Sequence, residues 1–229
     1  MTHIFQTSTK LSDMIDANFR LLRVLTRIGV DLQYCDHSIG QACLLSGVDP
    51  KSTLMICNAH SLDGYTPSDP EMEGADAETV MKYLHDSHIY YNMDALVKLE
   101  KTVDELMEAF PQKQKEIVAR FVKGYKDELA SHFGYEENEL FPYIRSLAGG
   151  NRDNSYCVDI YAEKHENAET KLRDLKNIIM RYLPGSCDNE LRARCLTLIY
   201  HLEDDLHYHT TVENGVLVPM TKRMEENGQ

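Results

Sequence analysis

His132-Phe-Gly-Tyr-Glu-Glu-Asn-Glu-Leu-Phe-Pro142 and His209-Thr-Thr-Val-Glu-Asn-Gly-Val-Leu-Val-Pro219 share one pattern, His-x3-Glu-x3-Leu-x-Pro, the second copy 77 positions after the first. Four residues advance a helix by about 400° and ~6 Å, so in each copy the glutamate stands one turn from its histidine on a single face. That face reads as the inner one. Val118, Val122, Tyr125 and Leu129 lead up to the first copy, and Leu191, Cys195, Leu198 and Leu202 to the second, each at the spacing of a buried helical stripe. A core stripe that turns from leucine to histidine and glutamate needs compensation, because an unpaired buried carboxylate is strongly destabilising. Bound metal ions supply it; a hydrogen-bonded network of core polar groups is the bland alternative.

Around these stretches the chain is rich in helix formers and long enough, at 229 residues, to bury a large core. Its formal charge of −13, from 37 acidic against 24 basic residues, argues against nucleic acid or an anionic membrane surface as partner. No run approaches the apolar length of a membrane span, and the opening Met-Thr-His-Ile-Phe-Gln-Thr-Ser lacks a basic segment followed by an apolar one. Six cysteines without a Cys-x2-Cys pair fit a reducing compartment, so the expected location is cytoplasmic.

Residues 1–62 read as a small N-terminal domain of short helices, about 11–28, 37–46 and 50–59, with stops at Gly29 and Gly47-Val48-Asp49-Pro50. Residues 63–76, holding Pro67, Pro70, Gly64 and Gly74 among acids, read as a linker. Residues 77–225 then carry four long amphipathic helices: about 77–110, ending at Pro111; 112–147, ending at Gly149-Gly150; 155–183, ending at Pro184-Gly185; and one from Asp188 to Asn214-Gly215, with a short helix after it. Short connections between long helices predict antiparallel neighbours, hence an all-α, up-down-up-down four-helix bundle.

Such a bundle can be checked for a common layer. Using the helical rise, His85 and His132 lie roughly 39 and 32 Å from the turn at Pro111, and His165 and His209 roughly 28 and 31 Å from the turn between the last two helices. Within each pair the heights match to about a helical turn or so, so the four histidines are expected to converge on one layer, joined by Glu136 and Glu213. His165 is in line with Ala168, Leu172, Leu175 and Ile179, and His85 with Leu96, Leu99 and Val103, so both are expected to face inward. Three of the ten histidines (His132, His165 and His209) have a glutamate four positions on, where chance predicts fewer than one. Mixed imidazole and carboxylate donors suit iron or manganese, with zinc as a competitor. Glu169 is an additional ligand or a rim residue. His88 is a ligand, a supporting group or an ordinary core histidine, and Asp205 is placed to accept the proton of a ligating imidazole. His201 and His207 fall on the outer side.

With these residues in hand, the chain resembles the hemerythrin-like di-iron proteins, and more closely the repair-of-iron-centres (YtfE/ScdA-type iron-sulfur cluster repair) family, in which a small helical domain precedes a hemerythrin-like (HHE cation-binding) bundle. The two His-x3-Glu segments are similar to that family's second and fourth ligand segments. Tyr83-Leu-His85-Asp-Ser-His88 and Glu163-Lys-His165-Glu-Asn-Ala-Glu169 are similar to its first and third. The N-terminal similarity runs from Leu21 through Arg27-Ile-Gly29-Val-Asp31 to Ala42-Cys43. Where the family carries adjacent cysteines, Gln33-Tyr34-Cys35-Asp36 supplies only one, so a thiol role would rest on Cys35, with Cys43 as a second candidate, or be absent.

The resemblance implies two non-haem, carboxylate-bridged iron ions held by His85, His132, His165 and His209, with Glu136 and Glu213 bridging and manganese or zinc as substitutes. It implies repair of iron-sulfur clusters damaged by nitric oxide or oxidative stress, with iron-sulfur proteins as clients and NO or O2 as small ligands, and it leaves a homodimer open. The alternative is a hemerythrin-like O2/NO-binding sensor or carrier. Reduction of NO or peroxide, rather than a classical enzyme activity, is the enzymatic reading.

Overall fold

The computed structural model describes residues 4–151, 156–164, 169–183 and 188–227. Among them every regular element is helical, and the only extended pairing is a single bridge between Lys10 and Ser38. The all-α class follows from the sequence periodicity. The chain packs as two compact units, each assembled from separated stretches: Met1–Ser87, Glu139–Lys164 and Tyr208–Gln229 in the first, His88–Asn138 and His165–His207 in the second.

In the first unit the N-terminal helices are Leu11–Ala17, Leu21–Ile28, Ile39–Ser46 and Pro50–Ala59. The single helix expected over 11–28 breaks at Asn18, whose backbone is extended and whose side-chain amide donates to the His60 carbonyl at 2.9 Å and to Ser61 Oγ at 3.0 Å. A side chain that bonds away from its own helix offers the backbone an alternative to continuing it. The remaining ends follow local rules. Gly29 closes its helix at φ 101°, which favours glycine, and Asp49 accepts from the Ser52 amide at 2.7 Å with Pro50 in the first turn. Leu11, Met14, Leu25, Ile28, Ile39 and Ile56 form the apolar interior.

The acidic stretch expected as a linker is hydrogen-bonded throughout much of its length. It holds the helical turn Asp69–Met72, capped by Ser68 and Glu71, and Tyr65 donates to Glu71 at 2.9 Å. Asp76 exchanges bonds with Ser52 and caps Thr79, at 3.1 Å, at the start of Ala77–Tyr90. Further along the unit, Glu225 Oε1 accepts from Tyr143 Oη at 2.6 Å and from the Val158 amide at 2.9 Å, joining three helices at one oxygen.

The second unit is built on one core to which four helical stretches contribute: Leu96, Leu99 and Val103; Val118, Val122, Tyr125 and Leu129; Leu172, Leu175 and Ile179; Cys195, Ile199, Leu202 and Leu206. Each series repeats at three or four residues, the spacing that defines a buried helical face.

The long helices are not uniform. Each stretch contains one five-residue π-turn, at Tyr91–Ala95, Glu136–Leu140, Ile178–Tyr182 and Glu213–Leu217. Two begin at the glutamates of the His-x3-Glu copies, and the prolines that close those copies explain why. Pro142 and Pro219 have no amide hydrogen for the carbonyl four residues back, and their rings would clash with it. Those carbonyls belong to Asn138 and Gly215, inside the π-turns, where the wider backbone removes the conflict. The fourth helix therefore does not stop at Asn214-Gly215 as expected. It turns through Glu213–Leu217 and continues as Val218–Asn227, with Gly215 set so close to the Tyr65 carbonyl that a Cβ would lie 3.3 Å from it.

Candidate metal centre

In the second unit the helix Gln112–Tyr135 delivers His132 in its last turn and passes into the π-turn at Glu136. Glu136 is fully buried, and each of its oxygens meets an imidazole: His132 Nε2 at 3.1 Å from Oε1, and His88 Nε2 at 2.9 Å from Oε2. The other ring nitrogen of His88, Nδ1, lies 2.7 Å from Glu137 Oε1. Its ring stacks on Phe133 at 4.3 Å between centroids, with 18° between planes. Phe133 stacks in turn on Tyr91, whose hydroxyl donates to the Asp205 carbonyl and to Asp205 Oδ1, both at 3.2 Å.

In the first unit the second copy makes a more enclosed pair. His209 Nε2 lies 2.6 Å from Glu213 Oε1, and both side chains are only 1% exposed. The neighbouring Tyr208 stacks on His60 at 4.8 Å, and His60 Nε2 lies 2.8 Å from the Tyr83 hydroxyl.

His132, Glu136, His209 and Glu213 thus form His/Glu pairs within their own units. His85 is a correction. It was expected to face the core, but it is exposed and lies with Glu78, Lys82 and Ile89 on the outer stripe of Ala77–Tyr90. The buried stripe is Val80, Leu84, Ser87, His88 and Tyr91, so His88 turns inward instead. The π-turn Tyr91–Ala95 is the cause. Extrapolating three turns back from Leu96 in an unbroken helix reaches His85, whereas one extra residue in the turn moves that phase to Leu84 and hence to His88.

His165 and the side chain of Glu169 lie outside the described residues. Asp205 is buried, and the group it meets is Tyr91. His201 and His207 are exposed. Glu137 escaped the sequence reading. Its only signal was adjacency to Glu136, and consecutive helical residues are not normally expected to serve one side chain.

The N-terminal cysteines divide by burial. Cys43 and Cys57 are buried and free, and desolvation pushes the Cys43 thiol up to about 11 and Cys57 higher still, which keeps both protonated near neutrality. Cys35, also free, is half-buried at the end of the turn Leu32–Tyr34.

These donors fit a divalent transition metal. His88, Glu136, His209 and Glu213 are all buried and each has a ligand atom to offer. Carboxylates so thoroughly removed from water call for positive charge, and an imidazole and carboxylate set without thiolates matches iron, manganese or zinc.

An all-helical chain with paired histidines and glutamates in its interior defines a cation-binding helical protein, and residues 80–222 match the hemerythrin HHE cation binding domain. The chain belongs to that family. It is similar to the iron-sulfur cluster repair protein DnrN of Neisseria gonorrhoeae, with 26% identity over 147 residues, covering 63% of this chain and 88% of that protein. Among the described residues, no helix is long and apolar enough to cross a membrane.

Proposed function

We propose that this is a non-haem di-iron protein that restores iron-sulfur clusters damaged by nitric oxide or oxidation, by supplying iron or handling NO at a His/Glu centre. The observation that carries this reading is a buried carboxylate against imidazole in both His-x3-Glu copies, Glu136 with His132 and His88, and Glu213 with His209. The similarity to a protein described as repairing iron-sulfur clusters points the same way.

His88, His132 and His209, with His165 carried from the sequence, would supply imidazole donors, and Glu136 and Glu213 would supply carboxylate donors. His88 takes the place first expected of His85. Iron bound there would supply redox chemistry and affinity for a diatomic ligand, with manganese or zinc as substitutes. The protein's own part is to hold carboxylates where water cannot solvate them, so that their charge is available to a cation. Phe133 and Tyr91 screen the His88 side from solvent. Cys35 is the N-terminal thiol with access for an exchange step, because Cys43 and Cys57 are buried and protonated. Iron-sulfur proteins in the cytoplasm are the proposed clients, and a homodimer is compatible with this role.

Metal analysis of protein purified without oxygen or added metal tests the class: about two irons per chain is expected, and none overturns it. His132→Ala is expected to abolish cluster repair with the fold retained, and undiminished repair would count against the mechanism.

A second reading, an O2/NO sensor or carrier, is favoured by one contact. Tyr208, beside His209, stacks on His60 at the end of the N-terminal helix Pro50–Ala59, which offers an output from donor to N-terminal region. A reversible oxygen adduct with visible absorption and no iron release would select it. Multiple turnovers of NO or peroxide with a reductant would instead make the protein an enzyme.

A further inference from the structure

We infer that Glu137 is a positioning residue for His88, fixing the tautomer and ring orientation in which Nε2 is the nitrogen offered to a metal. The inference rests on the reading of His88 as a ligand. Three contacts, all inside the second unit, carry it.

Glu137 Oε1 lies 2.7 Å from His88 Nδ1, the distance of a charge-assisted hydrogen bond in which Nδ1–H donates to the carboxylate. A neutral imidazole bears one N–H. When a cation takes the position between Nε2 and Glu136 Oε2, which lie 2.9 Å apart, the one hydrogen left on the ring is that on Nδ1. Phe133 fixes the third degree of freedom, since stacking at 18° holds the ring plane while the two carboxylates fix its rotation. A metal-binding imidazole whose other nitrogen donates to a carboxylate is thereby oriented and made a stronger donor.

Glu136 and Glu137 differ in the way these roles require. Glu136 is fully buried, whereas the Glu137 side chain is 30% exposed and keeps part of its solvation. Adjacent residues of a regular helix point about 100° apart and do not bracket one ring. Here the π-turn Glu136–Leu140 begins at this pair, and its wider backbone accompanies their approach to opposite nitrogens of His88. The contacts of Glu136 with His132 and of Glu213 with His209 are made through Nε2.

The test uses the full chain with Glu137→Ala, Glu137→Gln and His88→Ala. With Zn(II) bound, proton–nitrogen correlation spectra report whether His88 Nδ1 carries the ring's hydrogen, and Fe(II) affinity is measured without oxygen by competition with a chelator. Glu137→Ala is expected to mix the His88 tautomers and to weaken Fe(II) binding about ten- to a hundredfold. Glu137→Gln, whose amide oxygen still accepts from Nδ1–H, should keep the tautomer and much of the affinity. The apo thermal midpoint should stay close to wild type in both, which separates positioning from a general loss of stability. If His88→Ala weakens Fe(II) binding while Glu137→Ala leaves tautomer and affinity at wild-type values, the inference is overturned by itself. If His88→Ala binds Fe(II) as tightly as wild type, the ligand reading of His88 is what fails, and the inference goes with it.

Discussion

The two copies of His-x3-Glu-x3-Leu-x-Pro are alike in sequence and unlike in surroundings. In the second unit His132 is 21% exposed and Glu136 is shared with a second imidazole, His88, which is itself backed by Glu137 and Phe133. In the first unit His209 and Glu213 are both sealed at 1% and meet at 2.6 Å. The same motif therefore makes an open, branched cluster in one place and a closed pair in the other. Local spacing dictates that each histidine and glutamate share a face, but exposure and the number of partners come from the elements packed against that face.

This contrast can be broken in order of expected effect. His209→Ala should destabilise the metal-free protein most, by about 3 kcal/mol, because it leaves Glu213 buried without the imidazole at its oxygen. Urea unfolding of wild type and variant checks it. His132→Ala should cost the metal-free protein less, about 1 kcal/mol, since His132 is partly solvated and Glu136 retains His88. If the two variants are equally unstable, the difference in enclosure has no energetic meaning.

Fe(II) sharpens the comparison from the other side. Added anaerobically at about 100 times its dissociation constant, it should stabilise the wild-type protein by roughly 2.7 kcal/mol, seen as a raised thermal midpoint, and either histidine variant should lose most of that increment. A variant that keeps the full increment does not lack a ligand. Pro142→Ala is expected to change stability by less than about 1 kcal/mol, because the π-turn already spares the backbone the conflict that proline creates. A larger loss would mean that the proline itself holds the turn open.

The smallest effect lies away from both copies. Glu78 and Arg145 form a two-pronged ion pair at 2.7 and 2.9 Å that holds the Glu78 carboxyl below its usual range. A carboxyl depressed in the folded state stabilises above its unfolded value, and that contribution is lost as pH falls through the folded one. Glu78→Gln should therefore flatten the acid limb of the stability curve slightly, by a fraction of a kcal/mol for so exposed a pair.

Much of the site was legible because its chemistry is local. Each His-x3-Glu copy shares one helical face whatever lies around it, and the apolar stripes through Val118 to Leu129 and Cys195 to Leu202 mark that face as inward. Helix ends with specific caps were equally legible at Gly29, Asp49 and Pro111. Less legible was the break at Asn18, which depends on His60 and Ser61, some forty residues later.

The sequence by itself determined that this chain is helical and that two histidine and glutamate pairs belong to its interior, because helix periodicity is a property of the backbone alone. It also placed proline shortly after each pair, although a continuous helix over 112–147 was expected to run through Pro142. Only the tertiary structure decided that the helices contain π-turns, that one of them rotates His88 inward and His85 outward, and that Glu137 reaches the far nitrogen of His88. An inserted residue changes helical phase by about 100°, and nothing in a linear pattern records where the surrounding core will accept that insertion.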